Sequence, residues 1–218
     1  MMMEFTTWDI VRNLMFGALW TLGLSVTAFV LGGIVGLLVL AGRMGHTPWL
    51  RKSMRGYIEF FQGTPLLMQL FLVFFGISLA GIDVPAWLAA AIGLTFFTSA
   101  YLAEIWRGCV EAIPKGQWEA SASLAMSWLQ QMRYVVLPQA LRIAVAPTVG
   151  FSVQVVKGTA VTSIIGFTEL TKTGGSLANA TFQPFLVYGL VAAGYFILCY
   201  PLSLYAASLE RKFHGSAH

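Results

Sequence analysis

An all-α integral membrane protein of about five spanning helices is the fold class this sequence predicts, on three observations. The chain of 218 residues is 57% hydrophobic but only 10% charged, against about 25% charged residues in a soluble domain. Its mean hydropathy is +0.74. Five stretches, 14–40, 58–80, 87–106, 140–166 and 184–208, are each long and apolar enough to cross a hydrocarbon layer of about 30 Å. None shows the period-2 alternation of a closed barrel, the other structure that satisfies its backbone inside lipid. This composition excludes a soluble enzyme, a disordered chain and a disulfide-stapled secreted domain. Cys109 and Cys199 fit no disulfide or metal-ligand spacing and read as isolated packing residues. The reading is one membrane domain over 1–218, with its core at about 14–208 and no second domain.

The first span follows a flank carrying Glu4, Asp9 and a single Arg12. A cleaved leader has a basic flank and a shorter apolar run, so this span is expected to be retained. Gly32 and Gly36 in it form a small-xxx-small pair that admits a neighbouring helix closely. The second span contains Gly63-Thr64-Pro65, which reads as a break and restart. Thr64 can cap, and Pro65 at a first helical position gives up an N–H that had no partner. Discontinuous helices at membrane depth tend to line cavities. The third span ends in Glu104, Arg107 and Glu111, spaced i, i+3, i+7 on one helical face, so Arg107 can pair with either acid.

About thirty residues separate the third span from the fourth, and they are organised. Pro114-Lys115-Gly116 opens a short helix whose run from Trp118 to Ala125 is rich in Ala and Ser. Small side chains of that kind let a partner approach closely. Ser127-Trp128-Leu129-Gln130 matches a capping box. A second helix is expected from there to Leu137, with Pro138 breaking it or beginning the next. In the fourth span Lys157 lies near the middle. A charge at the bilayer centre costs about 2.5–3.5 kcal/mol, so Lys157 is expected to face the bundle interior and pair with Glu104 or Glu59. The Phe-rich runs of the second span read as lipid or core packing.

Charge sets a direction. Arg43, Arg51, Lys52, Arg55, Arg107, Lys115, Arg133, Arg142, Arg211 and Lys212 fall on one side of the membrane, ten of the thirteen basic residues. The positive-inside rule then puts the C-terminus and the 108–139 loop in the cytoplasm and the N-terminus outside. The net charge of +4 therefore speaks for orientation and not for nucleic acid. Chemistry is sparse: His46, His214 and His218 lie in loops or the tail, Asp9 and Asp83 lie on the outer side, and there is no phosphate-binding loop. Any ATP-driven work needs another subunit. An intramembrane enzyme lacks its parts, and a stand-alone secondary transporter or channel has no use for an ordered 114–138 loop.

Four short matches carry a resemblance. Glu119-Ala120-Ser121, Ala125 and Val135-Val136-Leu137-Pro138 resemble the E-A-A-x3-G-x9-I-x-L-P loop of permease subunits of bacterial ABC importers. Glu59-Phe60-Phe61-Gln62-Gly63-Thr64-Pro65-Leu66-Leu67 is similar to the F-R-G-T-P-L-L signature of their polar amino-acid group. Ser99 to Glu104 is a third match, and Lys157-Gly158-Thr159 with Ser163-Ile164-Ile165 is a fourth. Together they span about 57–170 in the expected order. The resemblance implies a non-enzymatic transport subunit of the bacterial cytoplasmic (inner) membrane. It implies pairing with a second permease, a cytoplasmic ABC ATPase dimer that holds ATP and Mg, and a periplasmic or surface binding protein. No cofactor is expected in this chain, and the implied cargo is polar or charged amino acids and relatives such as opines.

By the same resemblance, a coupling helix between the third and fourth spans meets the ATPase through Gly116, Glu119, Ala120, Ser121, Ala125, Leu137 and Pro138. Glu59, Gly63, Thr64, Pro65, Glu104, Lys157 and Thr159 are the candidates for a substrate path. Three positions depart from the pattern. Ser121 replaces the second Ala with little change in size, Ala125 replaces the Gly, and Gln62 stands where Arg is common. An Ala forced to positive φ costs about 1 kcal/mol or more. The first helix is therefore expected to continue through Ala125, with the turn at Met126-Ser127.

Overall fold

Helix α1, Thr7–Met44, is 38 residues long. At 1.5 Å per residue that is about 57 Å, well beyond one hydrocarbon thickness, so its ends reach past the apolar layer. The computed structural model describes residues 6–45 and 47–214. Thr6 and Asp9 close a capping box at the start of α1, and Arg43 lies in its last turn, where a cation complements the helix dipole. His46 and His218 lie outside the described residues.

The chain continues through α2 (Pro48–Gly63), α3 (Leu66–Leu79) and α4 (Ala86–Glu111). It then forms α5 (Lys115–Ser123) and α6 (Trp128–Gln130), followed by a π-helical stretch, Gln131–Val136. Helix α7 (Leu137–Thr159) tightens into a 3-10 turn, Ala160–Ile165, before α8 (Leu170–Thr181) and α9 (Pro184–His214). Among the described residues, four helices are long and apolar enough to span a membrane, or five if α2 and α3 make one broken span. The observed helices overrun the predicted spans at most ends, because a helix does not stop where its apolar stretch stops.

Helix α4 is the hub. Ala89, Ala90, Leu94, Thr98, Ser99, Leu102 and Ala103 are fully buried along it. Helix α1 packs on it through the predicted glycine pair. A Cβ on Gly32 would lie 2.6 Å from Thr98 Cβ, and one on Gly36 would lie 3.0 Å from the Ser99 carbonyl oxygen. Only glycine permits that approach. The main apolar core joins Leu24 and Ala28 of α1, Leu70 of α3, Leu94 and Leu102 of α4, and Phe151 and Val155 of α7. A second cluster ties Ile10 and Leu14 to Leu170, Val187 and Val191 at the opposite end of α1 from Arg43.

Two features differ from the sequence expectation. The second span starts earlier, at Pro48, while the break expected at Gly63-Thr64-Pro65 is present as a bend of 105° between α2 and α3. Helix α8 occupies a segment that hydropathy assigns to a loop, because its polar, Gly-rich face lacks the continuous apolar stretch of a span. Cys109 and Cys199 are buried free thiols.

Candidate functional site

The hairpin between α4 and α7 is built by local rules. Ile113 and Val110 at its start pack with Met132, Val136 and Ala140 on its far side, and Trp118 and Met44 close against them. Ser121 is buried and donates to the Trp118 carbonyl at 2.9 Å. Its neighbours Gly116, Glu119, Ala120 and Ala125 are exposed, and Leu124 is 77% exposed.

Helix α5 stops sooner than expected. Ala125 has φ +57°, the left-handed region, one residue past Leu124 at the helix cap. The Met126 N–H donates to the Ser121 carbonyl at 3.3 Å and the Ala125 N–H to the Ala122 carbonyl at 2.9 Å. Those two bonds are a Schellman closure, whose left-handed residue is commonly glycine. The turn therefore falls at Ala125 itself, not at Met126-Ser127. Backbone hydrogen bonding outweighs the steric cost of a Cβ.

The capping box appears as predicted: the Gln130 N–H donates to Ser127 Oγ, and the Ser127 N–H to Gln130 Oε1 at 2.8 Å. The second helix then runs into α7 with no interruption, so Pro138 does not break it and instead falls in the first turn of α7, the other expected outcome. The π-helical stretch absorbs the proline, which has no N–H for a bond to Tyr134. Gln139 Nε2 donates to the Val135 carbonyl at 2.7 Å and satisfies an acceptor at that join. Leu137 and Pro138 are exposed at the root of the hairpin. The loop and the spanning helix are one piece from Trp128 to Ile165.

The charged candidates segregate. Glu59 pairs with Arg55 at 2.6 Å on exposed α2. Glu104 takes both Nε (2.9 Å) and Nη2 (2.5 Å) of Arg107, whose Nη1 also meets Glu111. One arginine thus serves both acids of the i, i+3, i+7 face. These local pairs take both candidate partners, Glu59 and Glu104, away from Lys157. It is exposed on α7, outside the described ion pairs, which corrects the expectation of a buried pair with Glu59 or Glu104. The physical reason is distance along the chain: an arginine one turn away is already in place when a helix forms. Thr159 is fully buried with its hydroxyl on the Val156 carbonyl at 2.8 Å, so it does not face an open surface of this chain.

The break between α2 and α3 has a device that the sequence reading missed. Thr64 Oγ1 donates to the Phe60 carbonyl at 2.8 Å. Gln69 Nε2, one turn into α3, donates toward the Phe61 carbonyl (2.8 Å), the Thr64 carbonyl (3.0 Å) and Thr64 Oγ1 (3.0 Å). In lipid every freed carbonyl must find a donor within the protein. Gln69 is the clamp that supplies it, and Pro65 precedes the first helical residue instead of occupying it. Gly63 is exposed at the bend. A buried glutamine two residues past a Leu-Leu pair was the available signal.

Glu169 was also missed. It is fully buried, and its carboxylate accepts from the N–H groups of Thr171 and Lys172, both at 2.8 Å, and from Tyr195 Oη at 2.6 Å. Thr21 Oγ1 accepts from the Leu170 N–H at 3.2 Å beside it. This carboxylate caps α8 and joins it to α9. Two helical N–H groups and a phenol replace a cation. Glutamate is not among the preferred N-caps, so local sequence gave little sign of it.

A helical bundle with one broken span, a polar hairpin fused to another span and few titratable groups in its core defines a multi-pass membrane transport component. The chain belongs to the family described as binding-protein-dependent transport system inner membrane component, whose family model matches residues 28–215. It is an inner-membrane transport subunit and not an enzyme. Among curated relatives, the probable amino-acid ABC transporter permease protein YckA of Bacillus subtilis (strain 168) is 34% identical, over 89% of this chain and 86% of its own length. The glutamine transport system permease protein GlnP of Escherichia coli (strain K12) is 32% identical, over 94% of each. A chain in the crystal structure of an amino acid ABC transporter with histidines superposes with a TM-score of 0.90 at 32% identity, covering 96% of this chain and 100% of that one. A chain of the MetNI methionine ABC transporter in an inward-facing form shares the fold at TM-score 0.70 and 22% identity, covering 94% of this chain and 96% of that one.

Proposed function

We infer that this chain is the permease subunit of an ATP-driven importer for polar or charged amino acids. It forms the translocation path and couples that path to cytoplasmic ATPase subunits. The observation that carries the reading is mechanical. The α6 arm of the exposed hairpin joins α7 through continuous helix from Trp128, and α5 packs on that arm through Trp118 against Met132 and Val136, so a push on Glu119 or Leu124 passes by packing into a spanning element. A flexible linker would dissipate the same push. The solute class is supported by relatives named for glutamine and for arginine.

In this reading the ATPase dimer holds ATP and Mg and grips the surface around Gly116, Glu119, Ala120 and Ala125. Buried Ser121 and the root at Leu137 and Pro138 set the hairpin's shape. A second permease covers the faces that α2, α3 and α7 leave open, and a binding protein delivers the amino acid from outside. The C-terminus and the hairpin are cytoplasmic and the N-terminus is outside, from the distribution of basic residues. Glu59, Gly63, Thr64, Pro65, Glu104 and Lys157 are candidates for the path, and buried Thr159 supports it from behind. Lys157 is the one among them that is a cation without a carboxylate in the described ion pairs. It suits the carboxylate of an amino acid.

The test is reconstitution of the chain in vesicles with and without its ATPase and binding protein. Uptake that needs both supports the reading, and uptake by the chain alone overturns it.

A further inference from the structure

We propose that the elbow between α1 and α2 is a binding site for the headgroup of an anionic phospholipid, held by Arg43, Arg51 and Lys52. This rests on the inner-membrane assignment alone and not on the solute carried.

Arg43 stands in the last turn of α1, and Arg51 and Lys52 follow in the first two turns of α2. They line a recess of about 580 Å³ together with Pro48, Arg55 and Glu59. Four cations there face one carboxylate. Arg55 is taken by Glu59, and nearby Arg107 is taken by Glu104 and Glu111. Arg43, Arg51 and Lys52 stand outside the ion pairs of the described residues. Arg43 also acts on Glu104 at longer range, and Arg51 shares a neighbouring recess with Glu111, but both carboxylates are already held by Arg107. Three cations outside any ion pair around one concavity fit a phosphodiester, whose oxygens accept from several donors at once.

The level of the recess points to a lipid as the source of that phosphate. Helix α2 folds back along α1, with Met54 against Gly42 and Ile58 packed with Val39. The elbow therefore caps the end of a spanning helix. Within two turns of Arg43, Leu37 and Leu38 are exposed on α1, as residues facing acyl chains are. Trp49, one residue into α2, is 75% exposed, and tryptophan at such a boundary sits among headgroups. Basic clusters beside a spanning helix attract anionic lipid, about fivefold in affinity per cation.

The test is native mass spectrometry of the purified transporter from micelles containing palmitoyl-oleoyl phosphatidylglycerol or the matching phosphatidylcholine. The wild type is expected to retain phosphatidylglycerol at least tenfold more tightly than phosphatidylcholine. Arg51→Gln with Lys52→Gln is expected to lower that affinity about 25-fold. Arg51→Lys with Lys52→Arg keeps both charges and is expected to bind as the wild type does. Arg12→Gln with Arg142→Gln removes the same net charge elsewhere and is expected to change nothing. Equal retention of the two lipids by the wild type overturns the proposal. So does equal loss in the Arg12 and Arg142 pair, or loss in the charge-keeping pair. If the Arg51 and Lys52 neutralisation instead releases the ATPase and leaves phosphatidylglycerol bound, the recess is a protein interface and the proposal fails.

Discussion

Replacing Ala125 by glycine is expected to stabilise the hairpin, against the usual rule that glycine weakens helical segments. Ala125 has φ +57°. The left-handed conformation costs an L-residue with a Cβ about 1–2 kcal/mol, and glycine avoids this cost. Glycine also widens the unfolded ensemble, which takes back about 0.4–1 kcal/mol. The net gain is about 0.5–1 kcal/mol of local stability. The assay is hydrogen–deuterium exchange over 116–127 in lipid nanodiscs. The N–H groups of Leu124, residue 125 and Met126 close the turn on Ala120, Ala122 and Ser121, and their exchange is expected to slow about two- to fivefold. Ala122→Gly, three residues earlier in the last turn of α5, is the opposite control and should speed exchange, since glycine at a helical position costs up to about 0.5–1 kcal/mol. If Ala125→Gly speeds exchange as Ala122→Gly does, residue 125 is helical and the Schellman assignment is wrong.

Other expectations follow from the same geometry. Gln69→Leu leaves the half-buried Phe61 and Thr64 carbonyls without their side-chain donor, at about 1 kcal/mol each, the low end of the cost of an unpaired acceptor. A thermal melt in detergent should show an earlier transition, and an unchanged melt would remove Gln69 as the clamp. Glu169→Leu strips the cap of α8 and the partner of Tyr195. It should cost about 2–4 kcal/mol by the same reasoning, read as faster exchange across 170–181, and normal protection would refute the role. Glu119→Lys is expected to reduce ATPase pull-down and uptake while membrane insertion stays normal; full uptake would count against the hairpin as the docking element. Lys157→Met is expected to abolish uptake with assembly intact, because no carboxylate of the described residues relies on it. Lost assembly would return Lys157 to a structural role.

The parts of the site that were legible in the sequence are those made by neighbours in the chain. The Ser127–Gln130 capping box and the Glu104–Arg107–Glu111 face close within one or two turns, so spacing alone predicts them. Gly32 and Gly36 could be read because missing side chains one turn apart leave a groove on any helix. The illegible parts depend on remote partners. Tyr195 lies 26 residues from Glu169, and Thr21 lies 148 residues from it; nothing around Glu169 announces either. Lys157 differs from its expectation for another reason: the local pairs Arg55–Glu59 and Arg107–Glu104 lie within one turn, but sequence does not show that Lys157 falls on the exposed face of α7 and not on the packed one.

Composition and hydropathy by themselves determined a helical membrane bundle, because a backbone in lipid must bond to itself and long apolar runs can do so only as helices. The distribution of arginine and lysine gave an expected direction, and the motif spacing pointed to the family. Tertiary structure alone decided the 105° angle of the break at Gly63-Thr64-Pro65, the hold of Gln69 on it and the left-handed turn at Ala125. It also decided the unbroken passage from the hairpin into α7 and the gathering of Arg43, Arg51 and Lys52 around one recess. Each depends on which backbone groups and charges are left unpaired once the helices have packed, a balance summed over contacts that no local stretch of sequence contains.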